Sequence, residues 1–196
     1  MNCVIIKYNA GNIHSVRLAC RRLGIEPFVT DDPHAIRGAD RVIFPGVGEA
    51  SSAMKYLKAC RLDNVIRELT QPVLGICLGL QLMCRFSEEG RTMGLGIFDA
   101  DVKIFAPEDK VPHMGWNNID ISGSKLFSGV PDGSHMYFVH SYCADICEQT
   151  IARTNYILPF SAALKKDNFS ACQFHPEKSG RAGERILKNF IKGEEQ

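Results

Sequence analysis

Residues 72–83 read Pro-Val-Leu-Gly-Ile-Cys-Leu-Gly-Leu-Gln-Leu-Met, an apolar segment that passes through Cys77 into a second apolar segment. This order is typical of a nucleophile elbow, in which a strand turns sharply into a helix and the nucleophile lies at the turn. Gly75 and Gly79 flank Cys77 and allow neighbouring backbone to approach without a Cβ clash. The positive end of the following helix would favour the thiolate form of the cysteine. The stretch therefore predicts a strand, a helix and a thiol nucleophile between them.

A nucleophile of this kind needs a base, and the stretch Phe169-Ser-Ala-Cys-Gln-Phe-His-Pro-Glu177 offers one. His175 follows an apolar, strand-like run, and Glu177 lies two residues further on. Side chains two residues apart in an extended segment lie on the same face, so Glu177 can orient the imidazole of His175. The two stretches together predict a Cys77-His175-Glu177 triad for nucleophilic catalysis. The alternative is that Cys77 is a small buried side chain at the end of an apolar strand.

The first half of the chain alternates between strand-like and helix-like segments. Strands are predicted at Cys3–Tyr8, Glu26–Thr30, Arg41–Phe44 and Val73–Ile76. Helices are predicted after the capping residues Asn12 and Asp32, with Gly24 ending the first of them, and at Ala50–Cys60 and Asp63–Leu69. Repeated β-α-β units predict a doubly wound, mostly parallel α/β sheet, whose functional sites lie at the carboxyl ends of the strands.

After about Gly90 the pattern changes, because glycines and prolines separate short apolar runs. Such punctuation predicts hairpins and mixed strand pairing rather than further crossover helices. The runs are Asp101–Phe105, Asn118–Ile121 and Tyr137–His140, and a last helix is predicted at Arg181–Ile191, followed by a frayed end at Gly193–Gln196. We expect one α/β domain over residues 1–196, with a three-layer arrangement and an added antiparallel or mixed region.

Composition narrows the classes of partner. The chain has 196 residues, 45% hydrophobic residues and a formal charge of +1, which suits one sizeable core and provides no field to attract nucleic acid or an anionic membrane. It has eight cysteines, but a core of this size needs no disulfides, and no signal-peptide pattern opens the chain, so we expect a reduced, cytoplasmic protein. His140, Cys143 and Cys147 could supply zinc ligands, yet no Cys-x-x-Cys pair accompanies them. We expect neither a metal nor another cofactor.

Four ordered motifs resemble those of the class I (triad) glutamine amidotransferase family. Two are the elbow, Gly75-Ile-Cys-Leu-Gly-Leu-Gln81, and the stretch Gln173-Phe-His-Pro-Glu177. The other two, Pro112-His-Met-Gly-Trp-Asn117 and Tyr137-Phe-Val-His-Ser-Tyr142, narrow the resemblance to the glutaminase subunits of imidazole glycerol phosphate synthase. The resemblance covers essentially the whole chain. It implies a flavodoxin-like, three-layer fold with a seven-stranded core sheet.

The activity that this resemblance implies is hydrolysis of L-glutamine to L-glutamate and ammonia. The ammonia would be channelled to a (βα)₈-barrel cyclase subunit, in a heterodimer that makes imidazole glycerol phosphate and aminoimidazole carboxamide ribotide in L-histidine biosynthesis. Two alternatives stay open: a glutaminase subunit of a different synthase, and a stand-alone cysteine hydrolase.

Further site residues follow from the elbow and from the resemblance. The backbone N–H of Leu78, directly after the nucleophile, can donate to the oxyanion that acyl transfer develops. By resemblance, the loop Gly46-Val47-Gly48 supplies the second donor, and the Val47 peptide is the one expected to do so. By resemblance also, glutamine is bound by Gln81, Glu89, Ser141 and Tyr142, and the cyclase faces Asn12, Trp116, Tyr137 and Lys178. From the residues alone, Trp116 could equally be core, Lys178 a solvated charge and Asn12 only a helix cap.

Overall fold

The structure is a computed structural model that describes residues 1–8 and 11–193. Its first eight strands are β1 (Cys3–Ile6), β2 (Phe28–Thr30), β3 (Arg41–Phe44), β4 (Val73–Ile76), β5 (Cys84–Ser87), β6 (Thr92–Met93), β7 (Phe98–Ile104) and β8 (His113–Asn118). They are followed by β9 (Asp120–Ile121), β10 (His135–His140), β11 (Tyr142–Ala144), β12 (Thr150–Tyr156), β13 (Leu158–Lys166) and β14 (Phe169–Cys172). The helices are α1 (Ile13–Arg22), α2 (Pro33–Arg37), α3 (Ala50–Ala59), α4 (Leu62–Arg67), α5 (Leu78–Met83) and α6 (Gly180–Lys192).

The strands and helices predicted for the first half are present, with small shifts at their ends. β3 and β4 have the predicted bounds, whereas β2 begins at Phe28 and β1 ends at Ile6. Asp32 caps α2 as predicted, because its carboxylate accepts hydrogen bonds from the backbone N–H groups of His34 and Ala35. A frayed end is predicted at Gly193–Gln196, and residues 194–196 of that stretch lie outside the described residues.

The prediction that the Asn12 side chain caps α1 is wrong. Asn12 does occupy the position before α1, with φ 70°, but its side chain makes no capping hydrogen bond. The amide instead reaches across the molecule to the segment that contains His175.

The central sheet has eight strands in the order β2-β1-β3-β4-β14-β13-β12-β9. The first five are parallel to their neighbours and the last three are antiparallel, as a doubly wound sheet with an added antiparallel edge requires. The expected count of seven strands is wrong by one. The difference is β9, a two-residue strand whose Ile121 and Asp120 pair with Ala152 and Arg153 of β12.

The hairpins and mixed pairing predicted after Gly90 are confirmed. β7 lies in a four-stranded sheet of order β11-β7-β5-β6, and β10 pairs with β8 in an antiparallel ribbon. The predicted run Asn118–Ile121 is divided, because Asn118 ends β8 and Asp120 begins β9. The ribbon places Tyr137 opposite Trp116 and His140 opposite His113.

The central sheet separates two apolar cores. Val4 and Ile6 of β1 face one core, while Cys3 and Ile5 face the other, as the two-residue period of a strand requires. Helices α3, α4 and α5 bury their apolar sides in the first core, and α1 and α6 in the second. All eight cysteines are free. Across residues 1–8 and 11–193, every helix is too short or too polar to cross a membrane.

Candidate active site

Cys77 lies at the turn between β4 and α5, at the carboxyl end of the central sheet. Its backbone has φ 52° and ψ −105°, a left-handed conformation that costs a non-glycine residue free energy. The neighbouring glycines are required by close approach: a Cβ on Gly79 would lie 1.9 Å from the carbonyl oxygen of Phe44, and one on Gly75 would lie 3.0 Å from the Cβ of Ala171. The structure therefore has the elbow geometry that the sequence predicts.

His175 and Glu177 follow β14, the strand parallel to β4 in the sheet. His175 Nδ1 lies 2.7 Å from Glu177 Oε1, and both side chains are fully buried. Burial lowers the pKa of His175, but close approach to Cys77 and Glu177 and the negative charge of both groups outweigh burial and raise it to about 10. The imidazole therefore carries a proton at neutral pH.

The protons of the pair His175-Glu177 have a defined arrangement. Because Nδ1 bonds to the carboxylate, Nδ1 carries a hydrogen and Nε2 is the nitrogen that remains for the nucleophile. Among the described residues, His175 Nε2 and Glu177 Oε2 are buried and have no hydrogen-bond partner. The Asn12 amide adds a second donor to Glu177 Oε1, at 2.5 Å, and lies 3.3 Å from His175 Nδ1.

A cavity of about 240 Å³ opens beside Cys77. Its size lies below the roughly 300–1,000 Å³ of pockets for drug-sized ligands, so it suits a smaller molecule. Most of the residues predicted for the site lie on its wall: Val47, Gly48, Leu78, Gln81, Glu89, Ser141 and Tyr142. Pro112, Val139 and His140 complete it. In the part of the chain that the structure describes, no group of three His, Cys, Asp or Glu side chains could hold a metal ion.

Two of the wall residues already have partners within the chain. Glu89 Oε2 accepts a hydrogen bond of 2.7 Å from the backbone N–H of Ala50, and burial raises the pKa of Glu89 more than this bond lowers it. Gln81 Nε2 donates to the Tyr142 carbonyl at 2.9 Å and to Gln173 Oε1 at 3.1 Å. The Glu89 carboxylate is half-buried beside the cavity. The Gln81 amide nitrogen, in contrast, is held in place by its two hydrogen bonds within the protein.

Hydrogen bonds hold the loop 45–48 at each of its first three carbonyls. Tyr8 Oη donates to the Pro45 carbonyl at 2.5 Å, the Leu78 N–H donates to that of Gly46 at 3.2 Å, and the Gly11 N–H donates to that of Val47 at 3.0 Å. Gly48 has φ 138°, which favours glycine. The N–H of Leu78, expected to face an oxyanion, is therefore already bonded to the loop in this conformation.

Three of the four residues expected at a partner surface lie side by side. The rings of Trp116 and Tyr137 meet edge to face with centroids 6.0 Å apart, and Lys178 Nζ lies 5.7 Å from the centroid of Tyr137. The Trp116 residue is 56% exposed, so the alternative of a core tryptophan is wrong. Asn12 is separate from this group and contacts the pair His175-Glu177.

Tyr137 joins that surface to the candidate triad through its backbone. The His175 N–H donates to the Tyr137 carbonyl at 2.9 Å, and the Tyr137 N–H donates to Ser179 Oγ at 2.9 Å. Ser179 Oγ in turn donates to the His175 carbonyl at 2.7 Å. A displacement of Tyr137 would therefore be transmitted directly to the backbone of His175.

From the sequence, Tyr8, Gln173 and His113 have no predicted role, and His140 is only a possible zinc ligand. His113 Nδ1 lies 3.1 Å from His140 Nε2, and burial lowers the pKa of His113 to about 4 and of His140 to about 3. Both rings are therefore neutral at physiological pH. Tyr8 and Gln173 each lie just beyond the end of a strand, but only the register of the sheet shows that their side chains meet the site.

The model of the glutamine amidotransferase class-I family matches residues 5–193. The chain therefore belongs to the class I glutamine amidotransferases.

Curated relatives identify the group within this family. The chain is 62% identical to the imidazole glycerol phosphate synthase subunit HisH of Bacteroides fragilis, in an alignment that covers 97% of this chain and 99% of the relative. It is 48% identical to the subunit of the same name from Escherichia coli, over the same shares of both chains. The group to which the chain belongs is therefore that of the HisH subunits.

Solved structures agree with this fold at much lower identity. The crystal structure of a glutamine amidotransferase has a TM-score of 0.75 and 21% identity, covering 96% of this chain and 97% of that one. PurLQS from Thermotoga maritima has a TM-score of 0.75 and 14% identity, covering 98% of each chain. At such identities the likeness concerns the fold alone.

Proposed function

We propose that this chain hydrolyses L-glutamine to L-glutamate and ammonia with Cys77 as nucleophile, and passes the ammonia to a cyclase partner. The observation that carries the proposal is the arrangement at the elbow: a thiol on a strained turn, next to a buried histidine whose Nδ1 lies 2.7 Å from a buried carboxylate. This is the arrangement that nucleophilic catalysis by a thiol requires.

The reaction follows from the protonation states. The Cys77 thiolate attacks the side-chain carbonyl carbon of glutamine, and the C–N bond breaks as the His175 imidazolium gives its Nε2 proton to the departing nitrogen. A thioester and ammonia result. His175, now neutral, takes a proton from water, which attacks the thioester and releases glutamate and the thiolate. Glu177 holds the imidazole in one orientation and stabilises its charged form.

The amino-acid end of glutamine fits the far wall of the cavity. We infer that the Glu89 carboxylate pairs with the α-ammonium group, because Glu89 lines the cavity and has one oxygen unused by the Ala50 bond. The backbone at Ser141 and Tyr142 would hold the α-carboxylate, and Gln81 would fix that wall through its bond to the Tyr142 carbonyl.

The loop 45–48 offers a means of regulation. The tetrahedral intermediate needs donors for its oxyanion, but the Leu78 N–H is bonded to the Gly46 carbonyl. We infer that the peptide between Gly46 and Val47 must rotate, which frees the Leu78 N–H and turns the Val47 N–H towards the oxyanion. Removing one such donor typically costs about 10²–10³ in rate, so the chain by itself would hydrolyse glutamine slowly.

The partner that fits best is the cyclase subunit of imidazole glycerol phosphate synthase, in a heterodimer. The relatives named above are subunits of that synthase. The exposed Trp116 and Lys178 and the half-buried Tyr137 supply an aromatic and cationic surface of the kind enriched at protein interfaces, and the backbone of Tyr137 contacts His175. Ammonia released beside this surface would reach an acceptor before it is lost to solvent. We expect the complex in the cytoplasm, where its free thiols stay reduced.

The test is the Cys77→Ala variant, assayed in the reconstituted complex with glutamine and, separately, with ammonium salt. Glutamine-dependent turnover should be abolished, while ammonia-dependent synthesis by the partner continues, because only the nucleophile is removed. Cys60→Ala, which changes an exposed thiol outside the site, is the matched control and should keep both activities. Glutamine hydrolysis by Cys77→Ala would refute the assignment.

A further inference from the structure

Gln173 is a fully buried amide next to the nucleophile. It follows the last residue of β14, and Cys77 follows the last residue of β4; these strands are parallel, with Cys172 opposite Ile76. The register therefore brings Gln173 beside Cys77, and the Cys77 N–H donates to the Cys172 carbonyl at 2.8 Å. Gln173 Nε2 lies 3.6 Å from Cys77 Sγ, which is hydrogen-bond distance for a sulfur acceptor.

The orientation of this amide is determined by a chain of hydrogen bonds. A backbone carbonyl can only accept, so the Gln81 atom that bonds to the Tyr142 carbonyl must be its NH₂ group. The same NH₂ group contacts Gln173, whose facing atom must therefore be the acceptor Oε1. The other end of the Gln173 amide, which faces Cys77 Sγ, is then the donor NH₂.

We propose that Gln173 is a further catalytic residue, whose buried NH₂ group donates to the Cys77 sulfur and stabilises its thiolate, with Gln81 and the Tyr142 carbonyl as positioning groups. A hydrogen bond to an ionised acceptor is roughly twice as strong as a neutral one, so its effect appears when the sulfur is charged. The role of this thiolate in attack on glutamine rests on the proposed function, but the hydrogen bond can be measured without glutamine.

The other titratable groups around the sulfur leave this role to Gln173 and His175. Burial and the nearby sulfur raise the pKa of Tyr8, whose hydroxyl donates to Pro45 instead, and burial also raises the pKa of Cys172. Both stay protonated, His140 is neutral, and Glu89 on the cavity wall is an acid that cannot stabilise a second negative charge. Among these side chains near the sulfur, the imidazolium of His175 and the amide of Gln173 are therefore the two that favour the anion.

The test is the pH dependence of alkylation of Cys77 by iodoacetamide, followed by peptide mapping, in Gln173→Leu and in the unchanged protein. Leucine has about the same side-chain volume as glutamine but cannot donate a hydrogen bond to Cys77 Sγ. Gln81 keeps its hydrogen bond to the Tyr142 carbonyl in this variant. We expect the pH of half-maximal reaction to rise by about one unit, a tenfold loss of thiolate at a given pH, or about 1.4 kcal/mol.

Asn189→Leu is the control for loss of a buried amide. Asn189 is also fully buried and donates to the carbonyls of Leu126 and Ser128, away from the sulfur. The Asn189→Leu substitution should lower the stability of the fold without shifting the pH dependence of Cys77 alkylation. An unshifted profile in Gln173→Leu would overturn the proposal, even if glutamine hydrolysis were normal. Conversely, a shifted profile in a protein without glutaminase activity would support it while the proposed function failed.

A second measurement uses the unchanged protein and so does not depend on whether a variant folds. In the ¹⁵N-labelled, otherwise unchanged protein, the side-chain NH₂ signals of Gln173 should move with pH over the range in which Cys77 becomes reactive, and the hydrogen facing sulfur should move downfield. Signals that do not change across that range would contradict a donor at the sulfur.

Discussion

The contact between Tyr8 and Gly46 gives a quantitative prediction for the loop 45–48. A Cβ added to Gly46 would lie 2.2 Å from Tyr8 Oη and 2.9 Å from the Cβ of Leu78. Tyr8 cannot easily move away, since its hydroxyl donates to the Pro45 carbonyl and its ring packs against Phe44 with centroids 5.1 Å apart. Gly46→Ala should therefore destabilise the fold by about 1–3 kcal/mol, the usual cost of overpacking.

Removing the hydroxyl should relieve part of this cost. Tyr8→Phe alone leaves the buried Pro45 carbonyl without its donor and should cost about 1–3 kcal/mol. In the Tyr8→Phe background, however, the closest atom to the new Cβ is gone. Gly46→Ala should then cost about 1 kcal/mol less than it does alone, and the remaining cost reflects the contact with Leu78.

The assay is urea unfolding of the four proteins that make up this double-mutant cycle, at one pH and with a common slope m. Independent sites add within about 0.3–0.5 kcal/mol, so a coupling of about 1 kcal/mol is measurable. Gly38→Ala, whose Cβ would meet the carbonyl of His34 rather than Tyr8, should be additive with Tyr8→Phe. Additive costs for Gly46→Ala and Tyr8→Phe would show that Tyr8 does not fill the space beneath the loop.

Two further predictions concern the triad and the partner surface. Glu177→Gln removes the negative charge that raises the pKa of His175 and leaves a weaker, neutral acceptor at Oε1, while the burial that lowers the pKa stays. The pKa should fall from about 10, and the alkaline limb of kcat/KM for glutamine should move to lower pH. If the alkaline limb does not move, Glu177 does not control the pKa of His175. Lys178→Ala should reduce the stimulation of glutamate release by the cyclase partner more than it reduces the rate of the chain alone, because Lys178 contacts the Tyr137 ring. An unchanged ratio of stimulated to basal rate would show that the partner does not act through Lys178 and Tyr137.

Local sequence was sufficient for the features that depend on neighbours in the chain. The elbow at Cys77 follows from an apolar run, two glycines and a second apolar run, and the structure shows the strained turn that this order predicts. The pairing of His175 with Glu177 is predicted from sequence, and Nδ1 and Oε1 lie 2.7 Å apart. The extended segment assumed for this pairing is wrong, because Pro176–Lys178 forms a turn of 3₁₀ helix directly after His175. The motif sequence also identified the family, since the residues of an elbow and of a histidine-acid pair are constrained by their chemistry.

Contacts between distant segments were decided only by the tertiary structure. Asn12 is a residue type that favours the position before a helix, yet its amide donates to Glu177 instead of capping α1. Parallel pairing in the sheet brings the start of α1 close to the segment that follows β14. Gln173 lies just beyond a strand end, and only the register of β14 against β4 places its amide at the Cys77 sulfur. Helical and extended periodicities fix which side chains share a face, whereas the pairing of strands far apart in the chain fixes which faces meet.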